Sequence, residues 1–285
     1  VSAFAGLAAA LVAAAAPQAA RPAAAAAAES PRRDSVLTFA DLADLALAAP
    51  VVAQVRTIEA IPVRDADSPG LRPGLARLYV QAEVTALLRA PGPVPSRVAW
   101  LVDLPRDPRG RPPKLTKGAE FILFAATVPG RPAELRLVAR DGQVASSPAA
   151  AERLRAILRE AAAPSPAPTV VGIGRAFYSP GNLPGESETQ IFIQTADRRP
   201  VSLSILRRPG ETPRWTVALS EMVDESAAVP KPQTLLWYRL ACGLPPSLPA
   251  RSLEEADAAS AAAIRRDYQL VLDSLGRCTR TRAPA

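Results

Sequence analysis

With 285 residues and a 48% hydrophobic content, the chain can fill the core of one large or two ordinary domains, which excludes disorder throughout. Its net charge of +7 points toward nucleic acid or anionic lipid, yet only Lys114, Lys117 and Lys231 among the 34 basic residues are lysine, and the arginines alternate with acids, as in "RSLEEADAASAAAIRRD" (251–267), so nucleic acid is disfavoured. Histidine is absent, which excludes a Ser-His or Cys-His hydrolase within this chain and, with Cys242 and Cys278 the only cysteines, a zinc site built from His or from four Cys.

The N-terminus carries an apolar run from Ala3 to Ala16, followed by small residues around "APQA" (16–19), and is expected to be a signal peptide over residues 1–19. The run is shorter than the ~20 residues a membrane helix needs, although a retained anchor or an alanine-rich arm is the alternative. No basic stretch precedes it and the chain starts at Val1, as expected for an alternative start or a leader that continues upstream. Residues 20–35 are Ala/Pro/Arg-rich and expected to be a tether. No later segment is apolar enough to span a bilayer, so a mature chain without a membrane span, periplasmic or secreted, is expected. In that compartment Cys242 and Cys278 fit one disulfide, the alternative being two buried thiols.

The 31 prolines and the 5% aromatic content favour short strands and turns over a helical bundle. Thr38 can cap a short helix, "FADLADLALAA", with Asp41 at its third position. Five strands follow: "PVVAQVRTIEAI", "ARLYVQAEVTALLRA", "RVAWLVDL", "AEFILFAATV" and "AELRLVA". In the second, Leu78, Val80, Ala82, Val84, Ala86 and Leu88 share one face while Tyr79, Gln81, Glu83 and Thr85 share the other, the signature of a half-buried antiparallel strand. A helix with Leu154, Ile157 and Leu158 on its apolar stripe closes this first domain, residues 36–160, which suits a small OB-like barrel.

"AAAPSPAP" (161–168) is the best candidate for an interdomain linker. In the second domain, 169–285, the strands "PTVVGIGRAFY", "ETQIFIQT", "PVSLSILRR", "RWTVALS" and "TLLWYRLAC" suggest an antiparallel meander. On this reading Trp215, Trp237 and Tyr238 are strand residues of the core. A capping box, Ser252 with Glu255, is expected to open a last helix, followed past Gly276 by a frayed "TRTRAPA" tail. The fold class expected is therefore mainly β with flanking helices: an N-terminal OB-like barrel and a C-terminal antiparallel sheet with a terminal helix.

The motifs that could carry chemistry fail their own templates. "GIGRAFYSPG" starts as G-x-G, but Phe177 occupies the third glycine's place and prolines replace the helix start, so it is not a dinucleotide fingerprint. "GESET" (185–189) has Thr189 where a nucleophile elbow needs glycine, a strand follows it, and histidine is missing, which leaves Ser187 a poor nucleophile. The proline-punctuated loop of about ten residues reads first as a plain structural loop shaped by its prolines and glycines, the alternative being a binding loop with Phe177, Tyr178, Asn182, Glu186 and Glu188 as contact residues for an envelope protein or a glycan. A second candidate is an anion-binding rim at Arg106, Arg109, Arg111, Lys114 and Lys117, although stacking aromatics are absent from that loop. Glu186 with Glu188, Asp224 with Glu225 and Glu254 with Glu255 are the carboxylate pairs a glycosidase could use.

Residues 45–160, through "AAPVVAQVRTI", "ARLYVQAEVTALLRA" and "LTKGAEFILFAATV", resemble in topology the OB-type barrels of the netrin and metalloprotease-inhibitor class. That class uses an N-terminal cysteine and disulfides which this region lacks, so its inhibitory role carries over to no residue. The second half, through "LPGESETQIFIQT" and "LLWYRLACGLP", resembles exported proteobacterial proteins of unassigned function. The expectation is a non-catalytic exported binding or envelope-associated protein, with no cofactor or metal. The alternatives are a carboxylate-dependent envelope hydrolase and an anion or nucleic-acid binder through the 106–117 loop.

Overall fold

The computed structural model describes Val1 and residues 37–219 and 227–282. The expected leader beyond Val1, the tether, Asp224 and Glu225 lie outside the described residues. In chain order the elements are α1 (Phe39–Ala48), β1 (Val51–Pro62), β2 (Leu75–Arg89), β3 (Arg97–Pro105), β4 (Glu120–Val128), β5 (Arg131–Leu137), β6 (Gln143–Ala145), α2 (Pro148–Ala161), β7 (Val170–Pro180), β8 (Ser187–Thr195), β9 (Val201–Arg207), β10 (Arg214–Ala218), α3 (Leu235–Gly243) and α4 (Ala258–Leu275).

The first sheet runs β1-β2-β3-β5-β4, and β4 pairs back onto β1, which closes a five-stranded barrel with β6 added beside β4. Every pairing is antiparallel except β3 with β5, the order expected of an OB-like barrel. The alternation in β2 does its expected work, since Leu78, Val80 and Ala82 fill the barrel with Val55, Val98, Trp100 and Leu123. Strands β1 and β4 are apolar on both faces because both faces are covered: Val51 and Ala53 point into the barrel with Leu123 and Ala125, whereas Val52, Ile122 and Phe124 meet the helices outside.

The second sheet is the expected antiparallel meander, ordered β10-β9-β8-β7. Ile173, Ile191, Leu203, Ile205 and Trp215 pack there against Ile264, Tyr268 and Val271 of α4. Helices α1, α2 and α3 pack on one another outside the barrel, and α3 also reaches β7 of the second sheet. Leu235 and Tyr238 on α3 complete the core formed by Phe39, Leu45, Leu154 and Ile157, while Leu240, two residues past Tyr238 and so on the opposite face, belongs to the core of the second sheet. The 161–168 stretch thus runs within one packed unit that extends from Leu37 onward.

Three expectations are corrected. "TLLWYRLAC" is the helix α3, so Trp237 and Tyr238 are helical and only Trp215 lies on a strand. Its residues are apolar nearly all round, which hides the period. Thr234 caps it by accepting from the Trp237 N–H at 3.3 Å, and Glu160 of α2 accepts the Leu235 N–H at 2.7 Å.

The Ser252–Glu255 box does not open the last helix. Ser252 is buried in a short 3-10 turn, and Asp257 caps α4 by accepting the Ala259 and Ser260 N–H groups. A second cap signal five residues on won because it leaves Leu253 free to enter the core.

The tail is not frayed at residues 280–282. Cys242 and Cys278 form a disulfide that holds the chain past α4 against the end of α3, and the next residues dock on α1. Arg280 donates to both Asp44 oxygens at 2.7 and 3.1 Å, and Thr281 donates through its N–H and its hydroxyl to Asp41. Arg282 forks onto Asp141 at 2.7 and 2.6 Å. Residues expected to fray thus meet three carboxylates, two of them through guanidinium groups.

Burial pushes the Asp41 carboxyl up, but the hydrogen bonds from Thr281 and Thr38 outweigh it and hold it below the ordinary 3.8. Asp141 is lowered by its Arg282 hydrogen bonds. A carboxyl depressed by folding stabilises the fold above its unfolded pKa, and that contribution is lost as pH falls through the folded value. We therefore expect the clasp to weaken below pH 3.8. In acid titrations followed by circular dichroism, D41N/D141N should start less stable at pH 7 and fall less steeply below pH 4 than the parent. Parallel curves would refute this.

Candidate ligand-binding cleft

The barrel has one weak seam. Strand β5 follows β4, with Ala125, Ala126 and Thr127 opposite Leu137, Arg136 and Leu135, but it meets β3 only at Ala99 opposite Glu134 and Trp100 opposite Leu135. Pro132 deprives the start of β5 of a donor, and the β4–β5 register slips there, between Thr127 and Val128. Beyond Trp100, residues Leu101–Pro105 of β3 pair with β2 alone. A cleft of about 570 Å³ opens on the outer wall over this divergence.

Its floor is apolar and its rim basic. Tyr79 and Leu101 are cross-strand partners on the outer face, and Leu101 is 50% exposed, unusual for a leucine on a strand. Trp100 points the other way, 2% exposed, and donates its indole N–H to Gln143 at 2.8 Å. Arg77 and Asp103 are also cross-strand partners and form a forked pair at 2.7 and 2.9 Å. The Arg77 hydrogen bond holds the Asp103 carboxyl below its ordinary value, and Asp103 in turn raises the Arg77 guanidinium. Arg131 pairs with Glu134 at 2.9 Å. Arg136 and Arg140, which also line the cleft, have no ion pair among the described residues. Both lining carboxylates are therefore neutralised, and the cleft carries an excess of positive charge.

That arrangement bears on the use of Asp103 as a catalytic acid. A glycosidase needs one carboxyl held protonated near neutral pH, and Asp103 is shifted the opposite way. No group of three or more His, Cys, Asp or Glu placed to hold a metal occurs among the described residues.

The residues predicted at the 177–188 loop are divided. Strand pairing continues to Pro180 opposite Ser187, so the connection is six residues, 181–186, and not about ten. Phe177, 40% exposed, lies edge-on to Phe192 on the open face of the sheet, where Glu188 is also exposed, while Tyr178 turns toward the core. Glu186 serves its own turn: it accepts the Asn182 N–H at 3.1 Å, and a Cβ on Gly181 would collide with its side chain. Tyr178, Asn182 and Glu186 border a hollow of about 450 Å³ with Arg207 and Arg266.

The 106–117 loop is partly consumed by its own structure. Arg106 donates to the Leu75 and Gly110 carbonyls and to Asp65 at 2.6 Å, and Arg111 is paired with Asp107. Arg109, Lys114 and Lys117 have no ion pair among the described residues. Of the carboxylate pairs, Glu255 is bound to Arg175 at 3.2 Å, apart from the cleft.

Sequence reasoning passed over Tyr79, Leu101, Arg77, Arg131, Arg136 and Arg140. The one available signal was the alternation in "AELRLVAR", which puts Glu134 and Arg136 on the outer face of β5. No protein-family model matches the chain, and no curated protein matches it in sequence.

Proposed function

We propose that this is a non-catalytic binding protein, exported from the cytoplasm, that takes an extended acidic segment of a partner protein on the β3–β5 seam. The observation that carries the reading is the combination at that seam: a length of β3 with one free edge, an exposed Leu101, and Arg136 and Arg140 outside any ion pair among the described residues. A strand laid beside Leu101–Pro105 would extend a ladder that stops at Trp100, with alternate side chains facing the apolar floor and the basic rim. The disulfide supports an oxidising compartment. Single-stranded nucleic acid fits less well, since the cleft presents Tyr79 as its one accessible aromatic ring and a binder of that kind stacks several.

The test uses a fluorescein-labelled peptide of alternating Glu and Val, with a Gln/Val peptide and an oligothymidine of equal charge as controls. Fluorescence anisotropy should show binding of the acidic peptide, weakened by salt, and R136E/R140E should weaken it about tenfold, the ~0.5–1 kcal/mol per charge of an exposed pair, without changing the melting temperature. Absence of binding, indifference to R136E/R140E, or preference for the oligothymidine would overturn the proposal.

A further inference from the structure

A second, smaller cavity lies where the chain enters β7. It holds about 190 Å³ and is walled by Leu47 of α1, Ala161 of α2, Pro166 to Thr169, the β8–β9 turn, and Leu235 and Arg239 of α3. The two arginines in this wall differ in kind. Arg199 is fully engaged: it pairs with Asp197 at 2.6 Å and donates to the Ser165 hydroxyl at 2.8 Å and to the Pro166 carbonyl at 2.5 Å.

Arg239 is not engaged. It has no ion pair among the described residues, its Nε is buried without a hydrogen-bond partner, and its neighbour is the Tyr238 ring, 5.6 Å from the guanidinium carbon. Removal from water pushes its pKa down and outweighs the opposing influence of Tyr238 and Asp44.

Arg239 is half-buried, and its Nε, cut off from water without a partner, is costly; native proteins meet such a cost with an anion or with ordered water. The cavity is several times the ~30 Å³ share of one water molecule. Leu47, Ala161, Ala167, Pro168 and Leu235 supply the apolar part of its wall. With Asp197 neutralised by Arg199, the one positive charge of Arg239 remains to be met, which a monoanion balances and a dianion exceeds. From this geometry we infer that the cavity is a binding site for a small aliphatic monocarboxylate, its carboxylate forked on Arg239 and its short chain on the apolar wall. The site is separate from the barrel cleft, so neither proposal depends on the other.

The experiment is isothermal titration of the full chain with butyrate, acetate, inorganic phosphate and chloride at matched ionic strength, with thermal melts in parallel. Butyrate should bind with a stoichiometry of one, more tightly than acetate, and raise the melting temperature in a concentration-dependent way. R239Q should weaken butyrate binding about tenfold or more, the loss expected for a charge-assisted hydrogen bond. A167L, which fills the cavity and leaves Arg239 in place, should also abolish binding, and reads out the site even if R239Q folds poorly. Equal effects of butyrate and chloride, tighter binding of phosphate than of butyrate, or butyrate binding unchanged in both variants would each overturn the inference.

Discussion

Replacing Arg207 by methionine is expected to cost about 3–5 kcal/mol of folding stability, because it strands a buried carboxylate. Asp267 of α4 is 0% exposed and sits beneath the second sheet. It accepts the Thr189 hydroxyl at 2.5 Å and two nitrogens of Arg207, at 2.7 and 2.6 Å. Arg266 lies 3.8 Å away but is largely exposed, so it can compensate only in part. The reverse change is milder. D267N keeps a polar group for Thr189 and leaves a guanidinium that can turn toward water, so a loss nearer ~1–3 kcal/mol is expected. R207M/D267L, which removes both charges, should recover most of the stability. Urea denaturation midpoints of the four proteins check the order, and R207M within about 1 kcal/mol of the parent would show that the pair does not hold α4 to the sheet.

Reduction of the Cys242–Cys278 disulfide is expected to have a comparable effect. The bond joins residues 36 apart, and closing a loop of that length restricts the unfolded chain by about 4 kcal/mol in the chain-entropy model. For a chain of this size that corresponds to a fall of ~8–16 °C in the melting temperature. The clasp formed by Arg280, Thr281 and Arg282 on Asp41, Asp44 and Asp141 sets in immediately after Cys278. C242S/C278S should therefore lose hydrogen-exchange protection at Thr281 and Arg282 as well as global stability. Calorimetry with and without reductant, beside the serine variant, checks both parts. An unchanged melting temperature on complete reduction would mean that the clasp alone fixes the tail.

How far the sequence could be read depended on how local the cause was. Strand β2 was legible because one side of it meets the barrel interior and the other meets solvent, and α1 because Thr38 and Asp41 make their capping box within four residues. The strand misassigned at α3 carries apolar residues on most sides because it serves two cores, and its first N–H is satisfied by Glu160, 75 residues earlier. Neither fact has a local trace.

Strand β6 is three residues long and exists because β4 has a free edge for it. The cleft was hidden for a related reason. Arg77, Leu101 and Arg136 become neighbours only through the parallel pairing of β3 with β5, a long-range event. The residues singled out at the hairpin were chosen for composition, and composition does not reveal that pleating sends Phe177 and Tyr178 to opposite faces.

The docking of the tail on α1 also bears on the order of folding. Asp41 and Thr281 are 240 positions apart, so the first helix cannot acquire its last polar partners until nearly all of the described chain is present. Contacts of such separation are entropically late, and topologies dominated by them fold slowly. Until then the acids of α1 remain solvated and the surface that α3 covers remains open. The barrel strands can pair early in synthesis, but their helical cover is completed from the far end of the polypeptide. The folding chain thus passes through an interval in which it is collapsed but not closed.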